Sequence, residues 1–310
     1  FNLFSVTLKR MGIEFSFVNQ NDPADVIARA FRPNTKAFFA ETVTNPSLEV
    51  ADLEKLASLA HGHGVPFIVD NTFPTPVLCR PIEWGADIVL HSTTKYMDGH
   101  AQTIGGAIVD SGNLDWTNGR FAEFCEPDSS YHGVVYTERF GRAAYITKAR
   151  VQLMRDIGAQ QNPFAAYILN LGLETLHLRM PRHCSNALAV ARHLEKHPRV
   201  AWVNYPGLES SPFHALAQKY LPEGTCGVVS LGIKGGRPAA TRFMDGLKLA
   251  AIVTHVADAR TCILHPASTT HRQLSDEQLK AAGIFPDLVR LSVGIENIHD
   301  ILADLDQSLQ

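Results

Sequence analysis

Short, continuous apolar runs that end in polar residues constrain the fold of this chain more than any other feature. Each run is long enough for one buried strand, and the runs cover residues 36–42, 66–70, 86–91 and 105–109. Between the first two runs, Asp52 can cap a helix. The apolar residues of that helix share one face: Leu53, Leu56, Ala57 and Ala60. Because uninterrupted apolar runs are typical of strands covered on both faces, this pattern predicts an α/β fold with a parallel sheet.

The second half of the chain has a different pattern. Helices are predicted over residues 163–178, 184–195 and 238–247, and strands over residues 226–233 and 288–293. This order of elements is typical of an α+β arrangement rather than of a continued parallel sheet. We therefore expect two domains, a larger one over residues 1–170 and a smaller C-terminal one over residues 171–310.

Composition narrows the class of function. The 310 residues are 45% hydrophobic and 19% charged, and 28 Lys plus Arg face 31 Asp plus Glu with no long run of one sign. This balance disfavours a nucleic-acid face or a membrane-surface patch, and it favours small-molecule metabolism. No run approaches the length of a membrane span, and no signal peptide is recognisable, so we expect a cytoplasmic protein. The chain opens without Met on an apolar helical pattern, as if inside a longer protein.

Polar residues with suitable chemistry follow three of the predicted strands. Asp70 ends one strand, Ser92 and Lys95 follow another, and Asn45 lies just past a third. Ligands of open α/β sheets bind outside the carboxyl ends of the strands, where these residues would meet. A site for pyridoxal 5′-phosphate (PLP) needs a Lys for a Schiff base, a carboxylate for the pyridinium nitrogen and hydroxyls for the phosphate. Taken singly, such an Asp is often only a turn former and such a Lys a surface group.

Metal and dinucleotide chemistry find less support in the sequence. His61 and His63 lie two residues apart, but they end the predicted helix, where a His interacts favourably with the helix dipole. There is no His-Glu-x-x-His motif and no Cys/His array, so we expect no metal site. The Gly pair at 105–106 is not followed by the spacing of a dinucleotide-binding fingerprint.

Two runs carry a resemblance to a known family. Residues 69–73 (VDNTF) and 91–96 (HSTTKY), with Gly-His at 99–100, resemble the Cys/Met-metabolism PLP-dependent enzymes. That resemblance implies the aspartate-aminotransferase-like fold of type I, with a mostly parallel seven-stranded-type sheet domain and a smaller α+β C-terminal domain. Within the family, the chain looks most like the O-acetylhomoserine sulfhydrylases in five further segments: 74–76, 79–83, 109–112, 265–274 and 290–296.

The resemblance implies a set of cofactor-binding residues. Lys95 would be the catalytic Schiff-base lysine, and Asp70 would pair with the pyridine nitrogen. Ser92 and Thr94 would bind the phosphate, and Thr72 would belong to the same cofactor site.

The resemblance also implies substrate-binding residues. Arg290 would hold the α-carboxylate of the substrate, a bidentate task that suits a planar guanidinium group. Asn45 would bond the phenolic oxygen of the cofactor or the substrate carboxylate, and Ser268 would lie near Lys95 and that carboxylate. From the residues alone, a surface ion pair is an equally good interpretation of Arg290.

The implied reaction is a γ-replacement in which O-acetyl-L-homoserine and sulfide give L-homocysteine and acetate, as in methionine biosynthesis by direct sulfhydrylation. A methionine γ-lyase or a cystathionine γ-synthase would use the same residues, so these alternatives stay open. The family also implies a homo-oligomer, a tetramer with shared active sites. Its usual N-terminal segment is not in this sequence, and with it go a Tyr-x-Arg pair, a Ser-Gly-Met loop and a stacking aromatic residue. An inactive truncated fragment is therefore a further alternative.

Overall fold

The computed structural model describes residues 2–269, 279 and 285–310. Two sheets organise this part of the chain. The first has the order β1-β2-β3-β4. Its strands are β1 Phe38–Glu41, β2 Phe67–Asp70, β3 Ile88–Ser92 and β4 Gly106–Asp110. Strands β1, β2 and β3 run parallel, so their carboxyl ends meet at one edge of the sheet.

The direction of β4 differs from the parallel arrangement that the sequence pattern predicts. β4 pairs antiparallel with β3, and most of its residues are exposed or half-buried. No helix lies between β3 and β4 to carry the chain back across the sheet, so the chain returns alongside β3 in the opposite direction. The described residues place four strands in this sheet, fewer than the seven that the family resemblance implies.

The second sheet is mixed and has the order β5-β6-β9-β8-β7. Its strands are β5 Val200–Asn204, β6 Val228–Ile233, β7 Ala251–Ile252, β8 Cys262–Leu264 and β9 Leu288–Ser292. Every neighbouring pair is antiparallel except β7 with β8. All residues of β6 and β9 are buried, including the polar Ser230, Arg290 and Ser292, so these two strands are covered on both faces.

Twelve α-helical segments of the described residues surround these sheets. They are α1 Ala24–Ala28, α2 Leu53–Gly62, α3 Thr75–Leu78, α4 Ala122–Cys125, α5 Tyr136–Phe140, α6 Ala144–Lys148, α7 Arg155–Ile157, α8 Pro163–Glu174, α9 Leu176–Glu195, α10 His214–Tyr220, α11 Gly236–Gly246 and α12 Ile298–Ser308. The Asp52 side chain caps α2 as predicted, because it accepts a hydrogen bond from the Lys55 N–H. None of these helices is both long and apolar enough to cross a membrane.

The boundary between α8 and α9 lies earlier than the sequence indicates. The predicted break near Pro181 is wrong, since α9 continues through that residue and α8 has already ended at Glu174. Pro181 lies on the exposed side of α9, where solvent can satisfy the carbonyl that its missing N–H leaves free. As a result α9 is one helix of 20 residues, and its buried side includes Arg179 and His183.

A single hydrophobic cluster contains side chains from both sheets. Phe67 and Val69 of the first sheet, Val229 and Leu291 of the second, and Met180 of α9 all belong to it. Burial of this cluster removes water from the side chains beneath the carboxyl edge of the first sheet. That edge and the middle of β9 therefore have a common rigid support.

Candidate active site

The ends of β2 and β3 are joined by hydrogen bonds at the carboxyl edge of the first sheet. The Thr72 N–H donates to Asp70 Oδ1 at 2.9 Å, which forms a tight turn after β2. The Ser92 N–H donates to Thr72 Oγ1 at 2.8 Å and ties that turn to the end of β3. The structure therefore brings Asp70 and Ser92 together, as the order of strands predicts, and it places Thr72 between them.

Lys95 follows β3 in a tight turn. Its N–H donates to the Ser92 carbonyl at 3.2 Å, and the Gly99 N–H donates back to the Lys95 carbonyl at 2.7 Å. Thr94 Oγ1 accepts from the Gly105 N–H at 3.0 Å, which fixes the neighbouring side chain. Burial lowers the pKa of the Lys95 amine, and the positive charge of Arg290 lowers it further. The charge of Arg290 thus acts on Lys95 although the two residues are far apart in the sequence.

Arg290 lies in the middle of β9 with 7% of its surface exposed. Its Nη1 donates to Asn45 Oδ1 at 3.2 Å, and its Nη2 donates to the carbonyls of Thr254 and His255 at 3.2 and 3.3 Å. Its Nε is buried without a partner among the described residues. Burial lowers the pKa of this guanidinium. A buried Arg with an unused donor is suited to an anionic ligand.

Ser268 is placed differently from the other expected residues. It ends a short 3-10 turn, Pro266–Ser268, directly after β8, and it is exposed. Its hydroxyl lies 2.8 Å from His265 Nδ1. Its expected closeness to Lys95 remains a prediction. The family-like segment 265–274 continues from here into residues 270–274, which lie outside the described residues.

Two titratable residues near this edge were not predicted from the sequence. Glu41 ends β1 and pairs in register with Asp70. Burial raises its pKa to about 7, and the nearby charge of Asp70 acts in the same direction. The signal was available, since Glu41 ends an apolar run just as Asp70 does. His255 is also near the site, because its carbonyl accepts from Arg290 Nη2 at 3.3 Å; burial and the charge of Lys95 lower the pKa of its imidazole.

The two histidines that most resemble metal ligands have structural partners. His61 Nε2 lies 2.8 Å from Asp87 Oδ2, and the ring of His63 stacks on Phe31 with centroids 4.2 Å apart. Within the described ranges, no group of three or more His, Cys, Asp or Glu side chains could hold a metal ion.

The residues at the carboxyl edge of the first sheet fit PLP. The cofactor has an aldehyde, a ring nitrogen and a phosphate, and the edge offers an amine with lowered pKa, a carboxylate and hydroxyl groups. The unpaired Nε of Arg290 would remain for the carboxylate of an amino-acid substrate.

Comparisons with known proteins agree with this interpretation. The sequence model of the family described as "Cys/Met metabolism PLP-dependent enzyme" matches residues 1–310. The chain is 52% identical to the homocysteine synthase of Schizosaccharomyces pombe, over 100% of this chain and 73% of that protein. It is 46% identical to the O-acetyl-L-homoserine sulfhydrylase of Leptospira meyeri, over 100% of this chain and 72% of that protein.

A solved structure of a similar protein has the same fold. A putative O-acetylhomoserine (thiol)-lyase from Campylobacter jejuni, which carries N′-pyridoxyl-lysine-5′-monophosphate, superposes with a TM-score of 0.94 at 38% identity. The match covers 99% of this chain and 73% of that one. Such agreement supports an α/β fold with mixed sheets and a lysine-linked cofactor in the similar protein.

Proposed function

Because this chain belongs to the Cys/Met-metabolism PLP-dependent enzymes, we propose that it converts O-acetyl-L-homoserine and sulfide into L-homocysteine and acetate. The cofactor of the family is PLP. The observation that carries the proposal is the buried guanidinium of Arg290, which keeps an unpartnered Nε and whose charge, together with burial, lowers the pKa of the Lys95 amine. An amino-acid substrate needs both groups, one for its Cα proton and one for its carboxylate.

The carboxyl edge of the first sheet would hold the cofactor. When bound, PLP supplies a covalent attachment point for amines and an electron sink for the chemistry at Cα and Cβ. Lys95 would form the covalent link, and Asp70 would keep the ring nitrogen protonated through its charge. Ser92 and Thr94 would bind the phosphate. Thr72 would hold the turn of Asp70 against Ser92, as its two hydrogen bonds support.

Lys95 would also move protons. Released by the incoming amino acid, its Nζ would take the proton from the substrate Cα. An amine can act as a base near neutral pH only if its pKa is lowered, and burial beside Arg290 provides this. Loss of a proton from Cβ would then let the acetoxy group leave from Cγ as acetate, and HS⁻ would form the new bond at Cγ while a proton returns to Cβ.

The substrate would be oriented by residues of both sheets. Arg290 would bind the α-carboxylate, and Asn45, which accepts from Arg290 Nη1, would bond either that carboxylate or the phenolic oxygen of the cofactor. Ser268 would approach the carboxylate from its short turn after β8.

The proposal also covers the fold type, the domain bounds, the cellular location and the oligomeric state. We infer a type I fold, supported by the TM-score of 0.94, and domains at 1–170 and 171–310, supported by the two separate sheets. We also infer a cytoplasmic homotetramer with shared active sites. The subunit interface, though not the location or the number of subunits, is supported by large apolar side chains that α8 exposes: Phe164, Tyr167, Leu171 and Leu173.

The test is a direct assay of products with purified chain and PLP. Homocysteine should form from O-acetylhomoserine and sulfide, and the Lys95→Ala variant should form none. O-succinylhomoserine in place of the acetyl ester, and cysteine in place of sulfide, separate the related reactions. Preferential use of cysteine would contradict the sulfhydrylase proposal, and a wild-type chain that binds PLP but releases no acetate or homocysteine would contradict γ-replacement.

A further inference from the structure

The turn that carries Lys95 is held from behind by a buried arginine of α9. We propose that Arg179 is a positioning residue that fixes the Lys95 turn between α9 and the second sheet and thereby sets Lys95 relative to Arg290. This inference rests on the proposed function, because it concerns how accurately Lys95 is presented to cofactor and substrate.

The contacts of Arg179 are all with oxygen atoms of the turn and of its own helical neighbourhood. Nη1 donates to the Tyr96 carbonyl at 2.7 Å, and Nη2 donates to the carbonyls of Gly172 and Met97 at 2.6 and 3.4 Å. Nε donates to Thr175 Oγ1 at 3.0 Å. The guanidinium therefore links the turn to the junction between α8 and α9.

Burial of the Arg179 guanidinium costs free energy of hydration. Arg179 is only 5% exposed, and no carboxylate of the described residues lies within ion-pair distance of it. Burial lowers its pKa, and the charge of Asp98 only opposes that effect. A buried cation held by carbonyl oxygens without a salt bridge loses hydration that those bonds must offset. An apolar side chain would avoid this cost but would leave the Tyr96 and Gly172 carbonyls without this donor.

The turn is shaped to receive the guanidinium. Gly99 has a φ of +76°, and a Cβ at this position would lie 2.3 Å from Arg179 Nη1 and 2.6 Å from Cζ. No side chain fits there without displacing Arg179. Since the Gly99 N–H donates to the Lys95 carbonyl at 2.7 Å, the surface that touches Arg179 is one hydrogen bond away from Lys95.

The opposite side of the turn is attached to the second sheet. The buried Tyr96 hydroxyl accepts from the Gly227 N–H at 2.9 Å, just before β6. The Val293 N–H, directly after β9, donates to the Gly227 carbonyl at 2.7 Å. Arg290 is on β9, so one continuous set of bonds runs from Arg179 through Tyr96 to the strand of the carboxylate-binding residue. A shift of the turn would change the distance between Lys95 and Arg290.

The experiment compares Arg179→Lys and Arg179→Ala with Arg182→Ala. Lysine keeps the charge and three donors but loses the planar fork. Arg182 lies on the exposed side of α9 and also donates to backbone carbonyls, those of Ile295 and Glu296, so it is the matched control. The readouts are the rate at which the PLP-free chain develops the visible band of covalently bound PLP, and kcat and KM for O-acetylhomoserine. Gly99→Ala serves as a second variant that disturbs the same contact from the turn.

We expect Arg179→Lys and Gly99→Ala to slow covalent uptake of PLP and to lower kcat by roughly 10- to 100-fold, the effect of a displacement of about 1 Å at a reacting group. Added guanidinium ion should restore part of the uptake rate in Arg179→Ala, and Arg182→Ala should behave as wild type.

Wild-type rates in folded Arg179→Lys would overturn the inference. So would a loss of folded protein in all Arg179 and Gly99 variants, because Arg179 would then be needed for folding rather than for positioning. If the wild-type chain never develops the visible band of covalently bound PLP, the proposed function itself is overturned, and the inference with it.

Discussion

Arg290 Nη1 donates a hydrogen bond to Asn45 Oδ1 at 3.2 Å and so joins the second sheet to the loop after β1. The two residues are separated by 245 positions in the sequence. Nε of the same guanidinium is buried with no partner among the described residues, so Arg290 keeps one donor that an anionic ligand could use.

Arg290→Gln is expected to weaken substrate binding more than it slows the chemical step. Glutamine keeps a polar side chain, but the charged hydrogen bonds to an α-carboxylate are lost, at a cost of about 1.5–3 kcal/mol. KM for O-acetylhomoserine should rise roughly 10- to 150-fold. Steady-state kinetics check this, with Arg182→Ala as the control. An unchanged KM would remove Arg290 from the substrate site.

The same variant should alter the pH dependence of PLP uptake. The charge of Arg290 lowers the pKa of Lys95, so its removal should raise that pKa. Only the neutral amine attacks the aldehyde, and therefore the midpoint of the uptake rate should move to higher pH in Arg290→Gln. Stopped-flow absorbance of the PLP-free chain across a pH series measures the midpoint. A shift to lower pH would contradict the placement of Arg290 beside Lys95.

Glu41 should make the folded protein less stable as the pH rises. Its pKa is raised from 4.5 to about 7 in the folded chain, so the folded state binds the proton more tightly than the unfolded state. The stability that this provides is complete below pH 4.5 and is lost as the pH rises to about 7. Glu41→Gln should therefore unfold at higher urea concentration than wild type at pH 8 and at a similar one near pH 4.5. Glu223→Gln, at an exposed position, is the control, and equal midpoints at pH 8 would contradict the prediction.

Thr72→Val should weaken PLP binding by removing an acceptor while keeping the shape of the side chain. The Ser92 N–H would lose its partner at 2.8 Å, and a hydrogen bond of this kind contributes about 0.5–1.5 kcal/mol. The Kd for PLP should rise roughly 2- to 12-fold. Titration of the PLP-free protein by absorbance measures it. Thr117→Val, which affects only an exposed turn at Asp115, should leave the Kd unchanged.

Some of the site could be predicted from the sequence because it depends on strand ends. Asp70 and Ser92 each end a buried apolar run, and parallel strands bring such ends to one edge. Arg290 could not be located in this way. It lies in the middle of a buried strand, and only the family resemblance indicated its role before the contact with Asn45 was visible.

The other differences between prediction and structure have local causes that the spacing of apolar residues does not indicate. The direction of β4 depends on the absence of a crossover helix after Lys95, and the continuity of α9 through Pro181 depends on which side of the helix faces solvent. Arg179 was missed because its partners are backbone carbonyls, which leave no mark in the sequence. An Arg on a helix is usually a surface residue.

The most direct test of the account is to reduce the PLP-treated chain with borohydride and map the modified peptide by mass spectrometry. The account predicts one pyridoxyl group on Lys95, and none in Lys95→Ala. A pyridoxyl group on another lysine, or an unmodified chain after treatment with PLP, would contradict the central claim that Lys95 binds the cofactor.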